Sequence, residues 1–263
     1  MEILLWPAIL LAVVVGFIVW RVRLSRIGWR AWACYQVAAF HRLVMTSCSQ
    51  RNACTIPEDG PAIIVGNHTS PMDPMLLWGN HFSAFRRPGM RVIGWMMARE
   101  YFEAAPIIRW ISRAMQCIPV DRNGKDMQSV RQSLERLKEG KLLGVFPEGG
   151  LNEVDPDVRL RVGNTGVTWL ALKSGAPVIP VFIHDAPRSL SMVRCFLIRG
   201  RASLSYGEPI DLSRWQKRRL SDEELADATD AIMKAIADLG GIGYTPVARS
   251  EKSEAEADGA ESA

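Results

Sequence analysis

An α/β fold, with a mostly parallel sheet covered by helices and an N-terminal helical membrane anchor ahead of it, is what this chain of 263 residues predicts. Three observations carry the prediction. From residue 62 onward short apolar runs alternate with amphipathic stretches, the pattern of strands joined through helical crossovers. Polar, chemistry-bearing residues follow three of those runs directly. An unbroken apolar stretch of 18 residues, Ile3 to Trp20, stands near the start. The length and the 48% hydrophobic content suit one substantial domain with appendages. We divide the chain into membrane-anchoring helices at 1–48, a globular domain at 49–246 and a disordered acidic tail at 247–263.

Taken in order, Ile3 to Trp20 would measure about 27 Å as a helix, against a hydrocarbon core of about 30 Å. It just suffices to span. Only Glu2 precedes it, whereas Arg21, Arg23, Arg26 and Arg30 follow, so the positive-inside rule leaves the rest of the chain at the cytoplasmic face of the membrane. A cleaved signal peptide would carry its charge in front and small residues behind, the reverse of this arrangement. In Ile27 to Met45 a helix would spread Trp29, Trp32, Tyr35, Val37, Phe40, Leu43 and Val44 over a broad apolar surface with arginines beside it. That suits a helix lying in the membrane interface. A core helix of the domain is the other reading, and the two segments together can form a hairpin that dips into one leaflet. Cys48 to Pro61 is polar and ends in the turn signal Pro57-Glu58-Asp59-Gly60-Pro61, which places the boundary of the globular domain there.

Strands are expected at 62–66, near 91–95, at 117–120, 142–146 and 178–183, with a final strand pair near 194–207. Between them, Met127 to Lys138 is opened by Asp126 and closed by Gly140, with Val130, Leu134 and Leu137 on one stripe. A second helix runs from about Thr165 to Lys173 and stops at Gly175. A third, Asp222 to Leu239, begins at a Ser221-x-x-Glu224 capping box.

The formal charge is +4, but the stretch from Arg249 carries five acids against two bases, which leaves about +7 on the remainder. With no helix-turn-helix or RNA-binding signature, that bias favours anionic headgroups, phosphates or coenzyme A over nucleic acid. Five cysteines without a C-x-x-C pair form neither a disulfide framework nor a zinc site. No metal is called for.

Gly66-Asn67-His68-Thr69-Ser70-Pro71-Met72-Asp73-Pro74 follows the first of the buried runs. A spacing of five turns a helix by about 140°, and the two prolines exclude helix here anyway. A stiff turn can instead fold Asp73 onto His68, fixing the tautomer and leaving the other nitrogen to accept a proton. The plainer alternative is a histidine satisfied in a loop and an aspartate capping the next helix. Cys117-Ile118-Pro119-Val120 then runs into Asp121-Arg122, and Leu142 to Phe146 into Pro147-Glu148-Gly149-Gly150. Ligands of open α/β sheets bind beyond the carboxyl ends of the strands, so His68, Arg122 and Glu148 can meet at one rim.

With these segments in view, the chain resembles the glycerolipid acyltransferase family, the enzymes similar to 1-acylglycerol-3-phosphate acyltransferase. Asn67-His68-Thr69-Ser70-Pro71-Met72-Asp73, Ile118-Pro119-Val120-Asp121-Arg122, Phe146-Pro147-Glu148-Gly149 and Ala176-Pro177-Val178-Ile179-Pro180-Val181 carry the resemblance, over roughly residues 60–210. It implies transfer of a fatty acyl group from a coenzyme A or acyl carrier protein thioester, with no bound cofactor, to a hydroxyl of a lysophospholipid such as 1-acylglycerol-3-phosphate. His68 would be the general base and Asp73 its partner. Arg122 would meet the acceptor's phosphate, and Glu148 with Gly149 would form the loop that binds the acceptor. The chain departs from the family where Gly150-Leu151-Asn152 replaces the usual Thr-Arg-Ser. Either Arg159 or Arg161 supplies the second cation, or the acceptor is a different lysolipid or an amino-lipid hydroxyl. A hydrolase using the same dyad on water, and a non-catalytic membrane-anchored lipid-binding protein of the same fold, are the rival functions.

Overall fold

The computed structural model describes residues 2–84, 90–121, 126–153, 157–189, 191–216, 220–244 and 246. Its strands are β1 (Thr46–Gln50), β2 (Ala62–Gly66), β3 (Ile93–Ala98), β4 (Ile118–Val120), β5 (Leu142–Val145), β6 (Arg159–Leu160), β7 (Val178–His184), β8 (Gly200–Tyr206) and β9 (Gly243–Tyr244). Its helices are α1 (Glu2–Ser25), α2 (Trp29–Val44), α3 (Asp73–Ala84), α4 (Arg99–Phe102), α5 (Pro106–Ala114), α6 (Met127–Lys138), α7 (Gly166–Ser174), α8 (Met192–Leu197) and α9 (Asp222–Gly240). Seven strands form one sheet in the order β1-β8-β7-β2-β5-β3-β4, and β6 pairs with β9 apart from it. Every pairing in the large sheet is parallel except β7 with β8. Five strands therefore point one way, and β8 and β1 run against them.

The continuous apolar character of the central strands has a direct cause in the layering. In β2, Ala62 and Ile64 pack into a core with Tyr35 of α2 and Leu77 of α3. Ile63 and Val65, on the opposite face, pack with Leu137, Leu170 and Ile232 from α6, α7 and α9. Both faces are covered, so no position on the strand is free to be polar. Each fully buried aliphatic side chain contributes about 1.5–3 kcal/mol.

Several expectations change. The boundary drawn at residue 48 falls inside β1, which pairs with β8 from Thr46 to Gln50. α2 is part of the domain as well: Ala31, Tyr35, Ala38 and His41 are buried, and the Tyr35 hydroxyl donates to the Arg91 carbonyl at 2.9 Å. Trp29, Val37, Phe40 and Leu43 remain exposed, so the broad apolar surface read from the sequence divides into a core face and an outer face. Among the described residues no helix is long and apolar enough to cross a membrane. The transmembrane anchor expected at the N-terminus is therefore not supported. α1 packs against α2, and its side chains from Leu11 to Trp20 are exposed. The strand pair expected near 194–207 is one helix, α8, followed by one strand, β8. Arg122 and the acidic tail at 247–263 lie outside the described residues.

Candidate active site

β2 ends at Gly66, where a Cβ would stand 3.1 Å from the Val181 carbonyl oxygen, so the absent side chain lets β7 lie close. The next residue continues the ladder with its side chain. Asn67 Nδ2 donates to the Ile183 carbonyl at 3.0 Å and its Oδ1 accepts from the Ile183 amide at 2.7 Å. His68 is thereby delivered to the carboxyl rim of the sheet. The chain then turns tightly: the Asp73 amide donates to the Ser70 carbonyl at 3.1 Å, and the Met72 amide to Ser70 Oγ at 3.1 Å.

Asp73, the first residue of α3, is fully buried, and its Oδ2 accepts three hydrogen bonds. They come from His68 Nδ1 at 2.9 Å, the Thr69 amide at 2.8 Å and the Ser70 amide at 2.9 Å. An ionised carboxylate only accepts, so the proton of the neutral imidazole resides on Nδ1 and Nε2 carries the lone pair. Nε2 has no hydrogen-bond partner among the described residues, and the side chain is 19% exposed. The positive end of the α3 dipole and three donors offset the buried charge. Pairing with the histidine and ordering the turn are both tasks of this one oxygen.

The ring is clamped from the side. Phe146 stacks on His68 with centroids 4.0 Å apart and planes 5° from parallel, and Trp95 stacks on Phe146 at 4.3 Å and 10°. Trp95 fits because residue 144 of the neighbouring strand is glycine, where a Cβ would stand 2.5 Å from the indole.

Glu148 lies beside His68, in the loop that follows β5, the strand next to β2, as expected, yet its carboxylate faces the backbone. Oε1 accepts from the His68 amide and Oε2 from the Arg161 amide, each at 2.9 Å. Burial raises its pKa, and those two amides, with the charges of His68 and Arg161, oppose the rise. Glu148 is thus a brace within the site, with both oxygens engaged. Gly149 turns the chain at φ 70°, and its amide donates to the Phe146 carbonyl at 3.1 Å. The sequence reading missed Asn152, whose amide donates to the His68 carbonyl at 2.7 Å and whose Nδ2 donates to the Arg159 carbonyl at 2.9 Å. Both backbone polar groups of His68 are accordingly held by the segment after β5. No sequence pattern announces such bonds, because they run to main-chain atoms.

Arg159 and Arg161 are exposed in that segment, and Arg161 Nη1 donates to the Leu151 carbonyl at 3.1 Å. From the loop after β7, Arg188 forms a two-pronged ion pair with Asp157, Nη1 to Oδ2 at 2.8 Å and Nη2 to Oδ1. The Asp157 hydrogen bonds lead in raising the Arg188 pKa, with the charges of Asp157, Asp185 and Asp73 adding to them against partial burial. Farther along the rim, Arg99 Nε pairs with Asp121 Oδ1 at 2.5 Å. Among the described residues no cluster of His, Cys, Asp and Glu is suited to a metal ion.

The acyltransferase family's sequence model matches residues 49–184. An N-acylphosphatidylethanolamine synthase of Arabidopsis thaliana is 32% identical over 161 residues, 56% of each chain. The present chain thus spans little more than half the length of that relative. A 1-acyl-sn-glycerol-3-phosphate acyltransferase of Bacillus subtilis is 25% identical over 191 residues, 72% of this chain and 85% of that one. In fold, the crystal structure of the 1-acyl-sn-glycerophosphate acyltransferase of Thermotoga maritima superposes with a TM-score of 0.58 at 22% identity, over 85% of this chain and 87% of the other. The matched segment covers the His68–Asp73 turn, the Glu148 loop and β7, and on that evidence the chain belongs to the acyltransferase family.

Proposed function

We propose that this protein moves a fatty acyl group from a coenzyme A or acyl carrier protein thioester to a hydroxyl of a lysophospholipid, 1-acylglycerol-3-phosphate being the first candidate, at the cytoplasmic face of a membrane. The observation that carries the reading is the His68–Asp73 contact at 2.9 Å with Nε2 left open. Nε2 takes the proton of the acceptor hydroxyl as its oxygen attacks the thioester carbonyl. The C–O bond forms, the C–S bond breaks, and the departing thiolate takes the proton back from the imidazolium. Asp73 stabilises that cation and keeps the ring in register, while Glu148 and Asn152 hold the peptide that bears it. Gly149 shapes the loop that faces the acceptor, and Arg122 remains the sequence's choice for its phosphate.

Membrane association finds support in the exposed apolar side chains Trp6, Leu10 and Phe17 of α1, Phe40 and Leu43 of α2, and Leu197 of α8. Such residues, with arginines near them, suit helices lying in an interface rather than crossing it.

A second reading follows from the plant relative, whose name is that of an N-acylphosphatidylethanolamine synthase. There the acceptor is an amine, and the same base would serve it. The deciding experiment supplies acyl-coenzyme A alone, then with a lysophospholipid or with phosphatidylethanolamine, and follows thiol release and lipid products by mass spectrometry. We expect thiol release to require the lysophospholipid, and His68→Ala to lower turnover by at least about a hundredfold. Release without any acceptor would identify a hydrolase, and none at all a binding protein.

A further inference from the structure

The Asp157–Arg188 pair joins the segment after β5 to the loop after β7, and a neighbouring residue in each segment is tied to the dyad by hydrogen bonds. Arg188 follows Pro187, whose carbonyl accepts from Ser70 Oγ, and the Ser70 amide donates to Asp73 Oδ2. Asp157 lies two residues before Arg159, whose carbonyl accepts from Asn152, and the Asn152 amide donates to the His68 carbonyl. The pair therefore closes a loop of contacts that runs through the His68–Asp73 turn. It is also accessible, with side chains 40% and 72% exposed. The charges of Asp185 and Asp73 add to that of Asp157 in favouring the charged Arg188.

A guanidinium offers a planar fork that suits phosphate at least as well as carboxylate. An exposed ion pair is easily opened, because water and salt screen it. A phosphate arriving at the fork would meet Asp157 as a like charge and could not share the site with it.

We infer that Arg188 binds the phosphate of the acceptor lipid, and that Asp157 is a stand-in anion which the phosphate displaces. The inference rests on the lysophospholipid reading of the site and deepens it. Asp157 then competes with substrate: it holds the two segments together in the empty site and releases Arg188 when an acceptor enters.

The test sets two variants of the full chain against each other. Binding of short-chain lysophosphatidic acid, below its micelle concentration and without acyl donor, is measured by titration calorimetry, and KM is measured for acceptor and for acyl-coenzyme A. Arg188→Ala should weaken acceptor binding by about tenfold to a hundredfold, the loss of a charge-assisted pair of hydrogen bonds, and Arg188→Lys should recover part of it. Asp157→Asn should act in the opposite direction and tighten acceptor binding by up to about fivefold, the strength of the pair it removes. The donor's KM should move less than the acceptor's in every variant, which separates the acceptor's phosphate from those of coenzyme A. Equal losses in Arg188→Ala and Asp157→Asn would make the pair a structural strut and overturn the inference. So would an effect confined to the donor, or acceptor binding that ignores Arg188. If the wild-type chain binds the lipid through Arg188 yet transfers no acyl group, the acyltransferase reading fails instead.

Discussion

Glu148 shows what a single residue contributes here, because its two oxygens accept from two different backbone amides, those of His68 and Arg161. A glutamine keeps the shape but offers one acceptor, and its NH2 must then face one of the two N–H groups. Glu148→Gln is expected to cost about 1–3 kcal/mol of stability, the penalty of a buried unsatisfied donor, and to reduce turnover because His68 loses a support. Chemical unfolding and steady-state kinetics check both. That Glu148 would lie near His68 was legible, since both follow apolar strands. Its use was not legible, because the partners are peptide groups common to every residue type. The proline-stiffened spacing allowed His68 to pair with Asp73 but equally allowed a loop histidine and a helix-capping aspartate, while the stacking of Phe146 between His68 and Trp95 needed three strands in their spatial order.

Among the elements, β5 has the most consequence for the site. It carries Gly144, lies between β2 and β3, and leads directly into Phe146. A glycine inside an apolar run suggests close approach, but only the adjacency of β3 reveals that the approaching group is the Trp95 indole. Gly144→Ala would set a methyl 2.5 Å from that ring. We expect about 1–3 kcal/mol of destabilisation from overpacking, together with an activity loss, since Trp95 is the backstop of the stack that ends on His68. A urea melt and a rate measurement on one preparation test the coupling. The central strands were plain in the sequence, being apolar on both faces. β1 was not: in Thr-Ser-Cys-Ser-Gln only Thr46 and Cys48 are buried, as befits an edge strand. The run Cys195-Phe196-Leu197-Ile198 is too short for periodicity to separate strand from helix, and the hydrogen bond from the Arg194 amide to Ser191 Oγ starts a helix there.

For the molecule as a whole, the exposed apolar faces of α1 and α2 predict how attachment responds to salt. If these helices lie in the interface, the full-length protein should stay with vesicles in high salt, whereas a chain lacking α1 should be released far more readily, ionic attraction being screened. Pelleting at low and high salt decides it, and equal retention of the shortened chain would place the dock elsewhere. Acid stability is a second global property. His81, buried in the domain, has its pKa pushed from 6.5 to about 3, first by burial and then by the charge of Arg91. Between those values the unfolded chain binds a proton that the folded chain refuses, so stability is complete above pH 6.5 and is lost as pH falls toward 3. At about 1.4 kcal/mol per unit the loss is on the order of several kcal/mol. Glu148, whose pKa is raised by burial, acts in the opposite sense just above its ordinary value and softens the slope. Unfolding midpoints from pH 7 to 4 should fall in the wild type and fall less in His81→Gln.

The order of strands across the sheet also sets a timetable for synthesis. Cys48 is paired with Ala202, so β1 leaves the ribosome long before its partner exists. At about 5–20 residues per second, the interval is on the order of ten to thirty seconds. Throughout it the helices ahead of β1 are already made and free to find a lipid surface, while the edge they precede stays open. If α1 and α2 lie in a membrane interface as proposed, the nascent chain is moored first and has its sheet completed last, with the bilayer as the surface on which the second half of the molecule assembles.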